Sequence, residues 1–144
     1  MRIMAVDHGE SRTGIAVCDP SEFLASPDTV IEEKNTTRSI EKIAQRAAEL
    51  GAEMIVIGLP LNMDGTEGER AQKCRYVASQ LSEKTGLEVV LRDERATTVE
   101  AGEILSANGR YRKKRKKVID AVAAVLILED FLSERKRERE KEGS

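Results

Sequence analysis

Short apolar runs alternate with helical spacings along this chain, and the alternation predicts its architecture. Ile3 to Val6 is an apolar run of strand length that ends on Asp7, passes a turn held by Gly9 and Gly14, and resumes through Val17. Glycine permits the positive φ that a tight turn demands, so the stretch reads as a hairpin. A third strand is expected within residues 23–33, around Val30 and Ile31. Pro27 lacks the amide that an inner ladder needs, which puts this strand at a sheet edge. From Thr36 to Leu50 the period changes: Ile40, Ile43, Ala44, Ala47 and Leu50 fall at helical spacing, and Gly51 closes the helix. Met54 to Ile57 is a continuous apolar run that suits a strand buried on both faces. It stops at Gly58-Leu59-Pro60, with a turn over 62–65.

Thr66 and Glu69 stand in capping-box register, and Ala71, Cys74, Val77, Ala78 and Leu81 follow at helical spacing up to Gly86. Leu87 to Leu91 is the next strand and runs into Asp93-Glu94-Arg95. A second capping box, Thr97 and Glu100, predicts a helix that finishes near Asn108-Gly109. Val118 to Leu132 is apolar nearly all round and reads as a buried helix. The order β-β-β-α-β-α-β-α-α predicts an α/β fold with a mixed five-stranded sheet. Its first three strands form an antiparallel meander, and strands four and five, each reached through a helix, run parallel to strand one. Residues 1–133 are expected to form a single domain, with 134–144 a charged tail that frays.

Composition narrows the function classes. The chain has 144 residues, enough for one core and too few for two. Charged residues make up 35% of it, yet the net charge is only −2, so attraction to nucleic acid has to be local. That local source is residues 110–117, of which seven in eight are basic: Arg110, Arg112, Lys113, Lys114, Arg115, Lys116 and Lys117. A segment this dense reads either as a solvated loop or as an arm that binds phosphates. Cys18 and Cys74 lack metal or redox spacing and are expected to be buried free thiols of a reducing compartment. No run approaches a membrane span, and no basic-then-apolar leader precedes the first strand, so a cytoplasmic protein is expected.

Acids gather where ligands bind. Asp7 ends strand one, Asp93 and Glu94 end strand five, and the carboxyl ends of parallel strands form a common rim. Asp120 interrupts the last apolar helix. Ionised carboxylates brought together repel one another unless a cation holds them. An oxygen-only set favours Mg²⁺ or Mn²⁺ over zinc. Each acid also has an ordinary structural reading: Asp7 as a turn cap, Asp93 as a turn residue, Asp120 as a complement to the helix dipole. His8, the only histidine, reads first as an exposed turn residue without a role. Arg12 and Arg95 stand beside candidate ligands and can clamp a phosphate or pair with the neighbouring acid.

Four motifs in order carry a resemblance across almost the whole chain: Asp7-x-Gly9-x-x-Arg12-x-Gly14-x-Ala16; Gly58-Leu59-Pro60 with Asn62 and Gly65; Asp93-Glu94-Arg95-x-Thr97-Thr98; and Asp120-x-x-Ala123-Ala124. They resemble the YqgF family, bacterial proteins described as Holliday-junction-resolvase-like or as pre-16S rRNA nucleases. The resemblance implies a ribonuclease H-like fold and a metal-dependent nuclease, with Asp7, Glu94 and Asp120 as catalytic metal ligands and Asp93 competing with Glu94. The end of the fourth strand, where related resolvases carry a ligand, is Gly58-Leu59-Pro60 here and holds no acid. The expected reaction is phosphodiester hydrolysis with two divalent ions, Asp7 bridging them. The expected substrate is the 5′ end of pre-16S rRNA, in ribosomal precursor particles, with RNA favoured over a four-way DNA junction. A monomer or weak homodimer is expected. The rivals are a junction endonuclease, a non-cutting nucleic-acid or ribosome binder on the same fold, and a nucleotide phosphatase. The last would need a duplicated domain, for which there is no room.

Overall fold

The structure, a computed structural model, describes residues 1–93 and the backbone of 112–142, with side chains from residue 122 onward in the latter segment. Five strands form one sheet in the order β3-β2-β1-β4-β5: β1 (Ile3–His8), β2 (Arg12–Cys18), β3 (Ala25–Glu32), β4 (Met54–Leu59) and β5 (Glu88–Asp93). β1 pairs antiparallel with β2 and β2 with β3, whereas β1, β4 and β5 run parallel. This is the expected mixed sheet, and β3 with its proline is an edge strand as predicted. A register irregularity between Ile15 and Ala16 absorbs Pro27.

Helices α1 (Thr36–Leu50) and α2 (Glu69–Thr85) cover one face of the sheet. On β1, Met4 and Val6 point that way, into a core with Ile40, Ile43, Ile55, Ile57, Val77 and Leu81. The other face belongs to α3 (Arg112–Glu142). There Ile3 and Ala5 meet Ala124, Ile127, Leu128, Phe131 and Leu132. Strand alternation thus sends odd-numbered residues of β1 toward α3 and even-numbered ones toward α1 and α2. α1 keeps its predicted ends: Asn35 accepts the amide of Arg38 at 2.9 Å, and Gly51 caps the far end at φ 66°.

Three local expectations fail, each for an identifiable reason. Gly14 is not in the hairpin turn but inside β2, paired with Asp7. Gly9 alone shapes the turn, because a Cβ there would lie 2.7 Å from the Arg12 carbonyl oxygen. The Thr66–Glu69 capping box does not form. Thr66 is held by Asp64 and by Asn62 Nδ2, at 2.6 and 2.9 Å, so α2 begins after Gly68 with no side-chain cap. The backbone of 112–117, which could have been a loop, is helical and continuous with the buried helix. The acidic and basic tail stays helical to Glu142 instead of fraying. Its anchor is Glu22, which accepts from Arg135 Nε at 2.7 Å and lies 3.6 Å from Arg139. The predicted helix after Thr97 lies outside the described residues.

Candidate active site

Asp7 is half-buried at the carboxyl end of β1 and continues the face of Ile3 and Ala5, toward α3. Across the antiparallel ladder it faces Gly14. On the other side the β1–β4 pairing runs as far as Val6 and Ile57, so Gly58 comes next to Asp7 where that ladder ends. Both of these cross-strand neighbours are glycines, on the face that α3 covers. A half-buried carboxylate at a strand end is an oxygen donor of the kind a hard divalent cation takes, and among the described residues no group of three His, Cys, Asp or Glu stands together to complete a metal site.

Arg12 lies on the same sheet face as Asp7, because it is in phase with Gly14, two residues along β2. Diagonal cross-strand neighbours of this kind are within reach of long side chains. Its guanidinium is loosely held, 4.0 Å from Glu32 at its cross-strand position. It can therefore turn toward an anion beside Asp7.

Asp93 is exposed and falls on the other face. Val89 and Leu91, in phase with it, pack on the α1–α2 side, while Val90 packs on the α3 side. Arg92 follows Val90 toward α3, donating to Asp130 at 2.8 Å and pairing with Glu134. Asp93 and Asp7 thus reach one rim from opposite faces. Glu94, Arg95 and Arg110 lie outside the described residues. So do the side chains of Arg112, Lys113, Lys114, Arg115, Lys116, Lys117 and Asp120, whose backbone is in α3. Asp120 occupies the helical position four residues before Ala124, which is buried against the sheet.

His8 is not the exposed turn residue that its neighbours in sequence implied. It is 5% exposed, on the α1–α2 face, with Thr13 across the ladder and Ser39 Oγ 3.5 Å from Thr13 Oγ1. Burial, and then the charges of Lys73 and Arg70 on α2, push its pKa down to about 4, so the ring is neutral at pH 7. Sequence reasoning passed over Arg70 and Lys73. The signal was present: two cations in the first turns of a helix, where the dipole favours anions.

The family model for RuvX, described as Holliday junction resolvase, matches residues 1–134. The chain belongs to the RuvX family. Two relatives of this RuvX-family chain, from Lachnospira eligens and Pelotomaculum thermopropionicum, both bear the name "Putative pre-16S rRNA nuclease". The first is 42% identical over 95% of this chain and 100% of its own length, the second 41% over 99% and 94%. Among solved structures, Thermus thermophilus RuvC in complex with Holliday junction substrate superposes with a TM-score of 0.60 at 13% identity, covering 94% of this chain and 96% of that one. The fowlpox virus Holliday junction resolvase gives 0.59 at 12%, covering 93% and 99%. At such identities these two likenesses concern the fold, which is the ribonuclease H-like one that the motifs implied. The family expected from the four motifs is the family found.

Proposed function

We propose that this chain is a metal-dependent nuclease that hydrolyses phosphodiester bonds during maturation of the 5′ end of pre-16S rRNA. The observation that carries the reading is Asp7, held between Gly14 and Gly58 on the face covered by the helix that contains Asp120. Glu94 would supply the third carboxylate. Asp93 is in phase with residues on the opposite face, and strand alternation would return the next residue to Asp7's side. RNA is favoured as substrate because relatives above 40% identity carry the pre-16S rRNA name.

Asp7, Glu94 and Asp120 would hold Mg²⁺ or Mn²⁺, which when bound activates a water and stabilises the leaving oxygen. The remaining work falls to the chain. Arg12 draws a non-bridging phosphate oxygen toward Asp7 through its forked donors. The basic residues of 110–117 hold the flanking backbone and give affinity without reading sequence. The buried, neutral His8 stiffens the end of β1 from behind. A cytoplasmic site of action, among ribosomal precursor particles, follows from that substrate. No helix among the described residues is long and apolar enough to cross a membrane.

The test is a side-by-side cleavage assay that offers precursor 16S rRNA, single-stranded RNA and a four-way DNA junction with Mg²⁺ or Mn²⁺. Preferential cutting of the rRNA precursor is expected. Preferential, paired incision of the junction would assign the site to DNA, and binding without cutting of any substrate would make the protein a binder.

A further inference from the structure

The loop that joins β2 to β3 is braced so that it holds two apolar side chains in water. Both oxygens of Asp19 are engaged: Oδ1 accepts the amides of Phe23 and Leu24 at 2.8 and 2.7 Å, and Oδ2 accepts the Ser21 amide at 3.3 Å and the Ser21 hydroxyl. The backbone closes on itself as well, through Glu22 N–H to Asp19 O and Asp19 N–H to Leu24 O. Glu22 takes the left-handed conformation at φ 61°, uncommon for a residue with a Cβ, and Arg135 of α3 holds its carboxylate. Braced in this way, the loop leaves Phe23 87% and Leu24 62% exposed. Single apolar residues on a surface need no explanation, whereas two adjoining ones on a fixed loop are the kind of anchor that interfaces bury. They border a groove of about 590 Å³ whose apolar wall continues through Ala25 and Leu132.

The charges of that groove are arranged symmetrically along α3. Glu129 stands toward one end and Lys136 toward the other, both exposed, and neither pairs with another described residue. They are seven residues apart, which is two helical turns, so they share one face at a spacing of about 10 Å. Their midpoint falls between Leu132 and Ser133, which also line the groove. A two-fold axis through that midpoint lays a second α3 antiparallel on the first and sets each Glu129 opposite the other copy's Lys136. Such a surface is complementary to itself. A groove of one charge would favour a nucleic acid or an oppositely charged partner; this one carries both signs.

We propose that a second copy of this chain docks here, by an isologous contact in which Phe23 and Leu24 of each copy fill the groove of the other. Apolar burial supplies the affinity, and the two Glu129–Lys136 pairs fix the register. The loop follows Cys18, at the opposite end of the β1–β2 ladder from Asp7, so both rims stay open. With the α3 helices antiparallel the two rims face away from each other, and each works on its own. The contact stands whether or not the nuclease reading does.

Sedimentation of the full chain over a range of concentrations reads the dimer, and the wild type is expected to pass from monomer to dimer as concentration rises. Phe23→Ser with Leu24→Ser removes the anchors. Both side chains are exposed and the Asp19 bonds are to backbone amides, so Tm should hold while the dimer is lost. Glu129→Lys alone and Lys136→Glu alone set like charges opposite each other, and each should weaken dimerisation at least about tenfold. The two single variants mixed together, and the double exchange in one chain, restore opposite charges and should recover the wild-type affinity. That pattern belongs to a contact in which residue 129 meets residue 136. A wild type that stays monomeric overturns the proposal, and movement of the Phe23 and Leu24 signals when single-stranded RNA is added to such a monomer would give the groove to nucleic acid instead. A dimer that survives loss of Phe23 and Leu24, or single variants that the mixture does not rescue, overturns it as well.

Discussion

Asp7 faces Gly14 across the β1–β2 ladder, so its cross-strand neighbour on the face toward α3 has no side chain. Gly14 is buried within β2, where a β-branched residue is otherwise at home. Gly14→Val is therefore expected to keep the fold, with Tm changed by a few degrees, and to lower metal-dependent cleavage. Crowding that displaces a reacting group by about 1 Å costs roughly 100-fold. Full cleavage by a folded Gly14→Val protein would show that the space is not used.

The buried His8 makes stability depend on pH in a defined window. Its folded pKa of about 4 lies below the ordinary 6.5, so the native state resists protonation that the unfolded chain accepts. Stability from this group is complete above pH 6.5 and declines as pH falls toward 4, by on the order of 3 kcal/mol in total. Denaturant unfolding of the metal-free protein at pH 7.5 and at pH 5 should show the wild type losing more than His8→Gln. Parallel losses would place the ring in water.

How much of this was readable from the chain differs from element to element. The strand order and the edge position of β3 follow from run lengths and from Pro27, which act locally. The place of Asp7 at the rim was readable because carboxyl ends of parallel strands share it. The burial of His8 was also readable in principle: period-two alternation puts it in phase with Val6, and the adjoining glycine drew it into the turn instead. Thr66 could not be resolved by register alone, because its hydroxyl donates to Asp64 and accepts from Asn62, two partners outside the capping pattern. The ordered tail was out of reach. Its anchor joins Arg135 to Glu22, far apart in sequence, and a mixed-charge run without that partner reads as solvated.

That anchor predicts a second stability effect. Glu22 has its pKa lowered to about 2, chiefly by hydrogen bonds from Arg135, so it stabilises the fold above about pH 4.5 and ceases to as pH falls toward 2. Glu22→Gln should cost about 1–3 kcal/mol, as for other losses of a charged hydrogen-bond partner. It should also speed amide exchange over residues 134–142. Unchanged exchange would mean that the helix end holds itself.

The basic residues of 110–117 make their own prediction. Replacing Lys113, Lys114 and Lys116 with Ala should flatten the log–log salt slope of RNA binding by about 2, at roughly 0.7 per lost contact. Tm should stay the same. An unchanged slope would remove this segment from the binding surface.

The central claim is that Asp7 holds the metal for phosphodiester hydrolysis, and the most direct measurement compares wild type with Asp7→Asn on precursor 16S rRNA in Mg²⁺ or Mn²⁺. The substitution keeps shape and removes charge, so circular dichroism and RNA binding in EDTA should match wild type. Cleavage should drop by at least roughly 100-fold, as expected when several kcal/mol of metal-derived stabilisation are lost. Equal cleavage by the two proteins at matched purity would contradict the account.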